Sequence, residues 1–218
     1  MLALIKRINK IKYILSNTKV FKKVIELGFY GYLNEVGWTR SVDNHAPVDK
    51  EGNPVPWVTY GYIDFIDNRL KSDFSVYEYG SGASTLWYSK RVGNIVSVEH
   101  DKMWYDEVKS ELPENCELKF RDLSGDIYEK SICEHDTLFD LIIIDGRKRV
   151  ECIKYALRKV SGRGVIVLDD SDRSQYTQGI DLLTSNGFKR LDFWGLAPGI
   201  TYKKCTSVFY RQGNCLGI

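Results

Sequence analysis

Five short strand-like runs, near residues 75–79, 94–99, 117–121, 139–145 and 164–169, most of them apolar, alternate with helix-like stretches, and this alternation leaves few architectures open. Apolar runs without a polar alternate face read as strands buried on both sides, the situation of a parallel sheet covered by helices. One covering helix is explicit, since Val150, Ile153, Leu157 and Val160 recur at helical spacing. After the fifth run the pattern changes. Residues 189–194 and 206–210 read as two more strands about eleven residues apart, too few for a helical crossover, so they should pair antiparallel. Before the first run, residues 1–27 suggest one or two helices, with a break at Ser16-Asn17-Thr18, all good helix-capping residues. Residues 28–56 look irregular, and Ile63, Ile66 and Leu70 mark one face of a helix over 57–70. The expectation is one α/β domain over 57–218, preceded by an extension over 1–56 that is helical at first and then rich in aromatic residues.

The turn after the first run carries the chemistry. In Glu78-Tyr79-Gly80-Ser81-Gly82-Ala83-Ser84-Thr85 an acid precedes a Gly-x-Gly turn that joins a strand to a helix. Glycines let a backbone approach a ligand in conformations barred to other residues. The second apolar run ends in Glu99, and an acid at that place can accept hydrogen bonds from both ribose hydroxyls. Dinucleotide folds rest a pyrophosphate on the helix N-terminus and usually carry a third glycine. Here Ser84 follows two positions after Gly82, and Glu78 would repel a diphosphate. An adenosine-containing ligand with a positive end suits this turn better. A strand-to-helix turn without any ligand is the plain alternative.

Glu78-Tyr79-Gly80-Ser81-Gly82, then Glu99, then 139–146 (FDLIIIDG) and 164–170 (GVIVLDD) resemble, in order, the motifs of class I S-adenosylmethionine-dependent methyltransferases. The resemblance covers roughly residues 57–211. It implies a Rossmann-like, seven-stranded, mostly parallel sheet with a C-terminal antiparallel hairpin and helices on both faces. It also implies S-adenosyl-L-methionine at the carboxyl ends of the strands. Glu78, Gly80, Ser81, Gly82 and Ser84 would hold its methionine part, Glu99 its ribose, with His100 at the cofactor's edge and Asp145 beside it. Asp122 would lie near the adenine amine.

Three carboxylates end the fourth and fifth runs: Asp145, Asp169 and Asp170. Methyl transfer to oxygen needs alignment of donor and acceptor, and help in removing a proton. These aspartates are the expected catalytic group, orienting or deprotonating the acceptor. Acids converging at one edge could also bind Mg²⁺ through oxygens, a use the resemblance supports for some O-methyltransferases. Arg147-Lys148-Arg149 departs from that pattern. The basic residues could hold an anionic acceptor, or Arg147 and Arg149 could pair with the aspartates. Trp38, Trp57, Tyr60, Arg147, Arg149 and Arg173 are the expected acceptor-binding residues, since aromatic and polar loops over a sheet edge often wall a substrate. His45 lies in the same loop region. Members of the subgroup the chain looks like resemble enzymes tailoring glycans or secondary metabolites, which implies a small-molecule or saccharide acceptor. A nicotinamide-dependent oxidoreductase and a cofactor-binding scaffold without turnover are the other readings.

Composition bounds the rest. A length of 218 residues suits one domain with a substantial core, and 43% apolar and 28% charged content is ordinary for a soluble protein. A net charge of +2 offers no reason to invoke nucleic acid. Five scattered cysteines without CxxC spacing argue for small buried hydrophobes in a reducing compartment, hence a cytoplasmic protein. Charge is asymmetric only at the start. Lys6, Arg7, Lys10, Lys12, Lys19, Lys22 and Lys23 precede the first acid, Glu26, and Leu4, Ile8, Ile11 and Leu15 share a helix face. Such a helix could lie on the inner face of a membrane, or dock on the domain or on a second copy in a homodimer. No apolar run is long enough to span a bilayer.

Overall fold

The computed structural model describes residues 2–218, with side chains described from residue 8 onward except at residue 14. The expectations for Leu4, Lys6 and Arg7 lie outside the described side chains. Two helices come first, α1 (Leu2–Ser16) and α2 (Thr18–Ile25). Asn17 divides them as expected, its side chain accepting a hydrogen bond from the Val20 amide at 3.2 Å. A π-helical turn (Glu26–Tyr30) leads to α3 (Tyr32–Glu35) and α4 (Trp38–Asn44). The segment read as irregular thus contains two short helices. Neither is long enough to show a period, and α4 is bracketed by left-handed Gly37 and His45. The next helix, α5 (Tyr60–Asp67), is shorter than expected because Trp57 and Val58 form a bend, Thr59 is extended and Asn68 closes it. Tyr62 and Ile66 form its buried face, while Ile63 and Leu70 are only partly covered.

The domain proper alternates strand and helix: β1 (Ser75–Tyr79), α6 (Ala83–Ser89), β2 (Asn94–Glu99), α7 (Lys102–Lys109), β3 (Cys116–Phe120) and α8 (Ile127–Lys130). It continues with β4 (Phe139–Ile144), α9 (Arg149–Lys159), β5 (Val160–Asp169), α10 (Thr177–Ser185), β6 (Lys189–Gly195) and β7 (Lys204–Tyr210). Across the sheet the order is β3-β2-β1-β4-β5-β7-β6. The first five strands are parallel, and β7 runs antiparallel to both β5 and β6. The final strand therefore lies inside the sheet, not at its edge.

Side chains alternate between the two faces of each strand, and so does the core. Tyr77, Tyr79, Val98, Ile142, Ile144 and Ile166 pack with Ile153 and Ala156 of α9 and Leu183 of α10. Val76, Ile95, Leu141, Ile143, Val165 and Val167 pack with Tyr62 and Ile66 of α5 and Trp87 of α6. Both faces being dry, the central strands read as continuous apolar runs. All five cysteines are free thiols, and Cys152, Cys205 and Cys215 are buried. Among the described residues no helix is long and apolar enough to cross a membrane.

Candidate active site

The loops after β1 and β4 meet backbone to backbone at the carboxyl edge of the sheet. Gly80 has φ +97°, and a Cβ there would lie 3.3 Å from the Gly146 Cα and amide nitrogen. At Gly146 a Cβ would fall 2.0 Å from the Tyr128 hydroxyl oxygen, so neither position accepts a side chain without movement. Glu78 points toward α6 and is almost fully buried. Its carboxylate accepts hydrogen bonds from Ser84 Oγ (2.5 Å), Thr85 Oγ1 (2.5 Å) and Ser97 Oγ (2.7 Å). Burial pushes its pKa up and the three hydroxyls oppose the rise. Glu78 thus anchors the glycine turn from below, and its charge faces the cleft.

Glu99 ties the turn to the loop after β2. One oxygen accepts from the Ser81 amide and Ser81 Oγ, both at 3.1 Å. The other accepts from the amides of His100 (2.7 Å) and Asp101 (2.9 Å), with His100 Nδ1 also 2.8 Å away. Trp104 closes the arrangement by donating its indole N–H to the Ser81 carbonyl at 2.7 Å. The resulting cleft holds about 550 Å³ and is bounded by Glu78, Gly80, Ser81, Ser84, Glu99, His100, Asp145 and Gly146. Gly82 adjoins it, lining the neighbouring cavity. Asp122 stands apart: it is exposed, lines neither space, and accepts from the amide and hydroxyl of Ser124, which lower its pKa.

The structure brings Asp145, Asp169 and Asp170 together but gives them different surroundings. Asp169 accepts from Lys204 Nζ (2.6 Å) and Thr206 Oγ1 (2.7 Å) and is 1% exposed. Asp170, buried with φ +51°, pairs with Lys204 (2.9 Å) and Arg173 (2.8 Å). Arg149 Nη2 reaches the Asp145 carboxylate at 2.9 Å, and its other donors go to the Gly146, Asp145 and Asp169 carbonyls. Burial works to lower the pKa of Arg149 and of Lys204, but the surrounding carboxylates outweigh it and both shift upward. Asp145 alone of the three faces the cleft, with 29% of its side chain open. Burial and then the charge of Asp169 push it up to about 8, against Arg149 and Lys204. The opening to solvent limits that rise.

This donor set does not fit a divalent cation, because an ammonium and a guanidinium already occupy the space between the carboxylates. Among the described residues no group of three or more His, Cys, Asp or Glu is placed to hold a metal ion. The expectation of Mg²⁺ at Asp145, Asp169 and Asp170 is not supported. Of the two readings for the basic triplet, Arg149 follows the ion-pair one. Arg147 is exposed at the cleft, and Lys148 pairs with Glu129.

A second cavity, about 370 Å³, opens beside the cleft and shares Trp57, Ser81, Ser84, Trp104 and Asp145 with it. His45, Pro47, Val48 and Pro54 form its far wall. Trp57 is half exposed there, its indole N–H held by the Pro198 carbonyl at 2.8 Å. Trp38 donates similarly to the Ile200 carbonyl at 2.8 Å, and Tyr60 is buried. Neither lines the cavity, and Arg173 also lies outside it. Three contributors escaped the sequence reading: Lys204, Trp104 and the Thr85–Ser97 pair beneath Glu78. Lys204 escaped because no local pattern shows that β7 lies beside β5, with Thr206 opposite Asp169.

No protein-family model matches the chain, and no curated protein is similar to it in sequence. Solved structures are. A precorrin-6y C5,15-methyltransferase from Geobacter metallireducens superposes with TM-score 0.57 at 14% identity, over 78% of this chain and 96% of that one. The O-methyltransferase TomG from Streptomyces achromogenes, in complex with S-adenosylmethionine, gives 0.57 at 17% identity, over 70% and 79%. An rRNA methylase from Streptococcus thermophilus gives 0.53 at 16%, over 70% and 95%. The strand order and antiparallel β7 agree with this likeness, whereas the dinucleotide-binding sheet runs 3-2-1-4-5-6 without such an insertion. The chain has the fold of the class I S-adenosylmethionine-dependent methyltransferases.

Proposed function

We propose that this protein transfers a methyl group from S-adenosyl-L-methionine to an oxygen of a small-molecule or saccharide acceptor. The observation that carries the reading is the joined pair of spaces. A glycine-floored cleft faced by Glu78, Glu99 and Asp145 opens into an aromatic-walled cavity, with Asp145 bordering both. The cofactor's sulfonium supplies an electrophilic methyl group. Carboxylates lining the cleft favour such a cationic ligand over a pyrophosphate. Glu78 and the Gly80 turn would receive the methionine end, and Glu99 the ribose. Trp57 would lie against the acceptor.

Asp145 would take the acceptor's proton as the oxygen–carbon bond forms and the sulfur–carbon bond breaks. Asp169, Asp170, Arg149 and Lys204 would hold the Asp145 loop in place. No lysine or arginine lines the cavity, so a neutral acceptor fits better than an anionic one. Calorimetric titration with S-adenosylhomocysteine, and separately with NADH, tests the cofactor reading. Saturable one-to-one binding of the former alone is expected. Preference for NADH, or no binding, overturns it.

A further inference from the structure

The first thirty-odd residues are unlike the rest of the surface. Among the described residues nineteen large hydrophobic side chains are exposed, and ten of them lie between Ile8 and Tyr32. No described side chain from residue 8 to residue 36 is buried. The principal packing of α1 is against α2, and that of α2 is against the π-helical turn, so among the described residues the main contacts of neither helix are with the sheet domain. Ile8, Ile11 and Leu15 share one side of α1, with Ile11 57% and Leu15 62% exposed. On α2, Phe21 and Val24 continue the apolar side, and Lys19, Lys22 and Lys23 occupy the other. Lys10, Lys12, Lys19, Lys22 and Lys23 are all exposed, and no acid precedes Glu26.

We infer that α1 and α2 form a peripheral membrane-binding arm whose apolar side enters the interface of a bilayer rich in anionic lipid. The arm has the two attractions such binding needs, apolar area and an excess of lysine that meets negative headgroups. Lysine stems reach outward from the flanks so that ammonium groups sit at headgroup level. The charge also argues against a second copy of this chain as the occupant. A second copy of this basic arm would offer the exposed lysines no opposite charge, whereas anionic headgroups would. The arm leads through α3 and α4 to the 45–57 loop, which walls the cavity beside Asp145. Membrane binding would therefore set the acceptor cavity close to the lipid surface. The inference does not depend on the methyltransferase reading.

The test is co-sedimentation of the full chain with phosphatidylcholine vesicles, with and without phosphatidylglycerol. Binding to the anionic vesicles alone, weakening as salt rises, is expected. Substituting Lys19→Gln, Lys22→Gln and Lys23→Gln together should weaken it roughly a hundredfold, about fivefold per lysine. Phe21→Ser with Val24→Ser should weaken it independently. Circular dichroism should be unchanged in both variants, because neither set touches the core. Three results would overturn the inference: a chain that stays in the supernatant, binding indifferent to lipid charge, or a dimer in solution abolished by Phe21→Ser with Val24→Ser.

Discussion

Asp145 is the residue on which the proposed chemistry turns, and its surroundings make the prediction specific. Burial and the charge of Asp169 hold its carboxyl above the ordinary carboxylate range in the free protein. A cationic ligand beside it favours the ionised form, so binding draws off bound proton and tightens as pH rises through that raised range. Calorimetry in buffers of different ionisation enthalpy reads that proton directly, and Asp145→Asn should remove both the release and the pH dependence. The same variant should lose turnover while binding S-adenosylhomocysteine. Unchanged turnover would exclude Asp145 as the base. Lys204 poses the converse case. Lys204→Met leaves two buried carboxylates short of a partner and should cost about 3 kcal/mol in a urea unfolding experiment. Adding Asp169→Asn should recover part of that loss, since one uncompensated charge goes with it.

At the scale of elements, the glycine turn and the β4 loop behave as one unit. Gly80→Val forces a β-branched side chain into φ +97° against Gly146. It should cost about 1–3 kcal/mol and abolish binding of S-adenosylhomocysteine, with circular dichroism still that of a folded protein. Normal binding would sink the assignment of the cleft. The central strands were legible because buried parallel strands leave unbroken apolar runs that end in acids, as at Val98 to Glu99 and Ile144 to Asp145. The short helices α3 and α4 were not legible, because too few turns exist to reveal a period. Asp122 read as a ligand contact from its place after β3, yet a serine two residues on satisfies it locally. The ion-pair cluster was illegible for a different reason. Lys204 meets Asp169 across an antiparallel register that no local pattern encodes.

For the whole molecule, the arm and the domain should be energetically separate. Deleting residues 2–25 removes no buried side chain among the described ones, so the change in unfolding free energy should stay within about 0.5 kcal/mol. A larger loss in thermal unfolding would mean that α1 and α2 contribute to the core after all. The two halves of the sequence also differ in what they disclose. The parallel, helix-covered sheet follows from its alternation of elements, while the role of the extension rests on exposure, which composition alone cannot report.

The internal position of β7 has a consequence for how the chain acquires its structure. Until residues 204–210 arrive, β5 has an open edge, β6 has no neighbour, and Asp169 and Asp170 lack their ammonium partner. The five parallel strands can gather earlier, but the sheet cannot close behind them. A nascent chain emerging from the ribosome would therefore expose the apolar edge of β5 from the time that strand is made until β7 follows. The last strand to be made is the one that shuts the sheet. Its insertion between two strands already present is the step at which rapid folding and self-association compete.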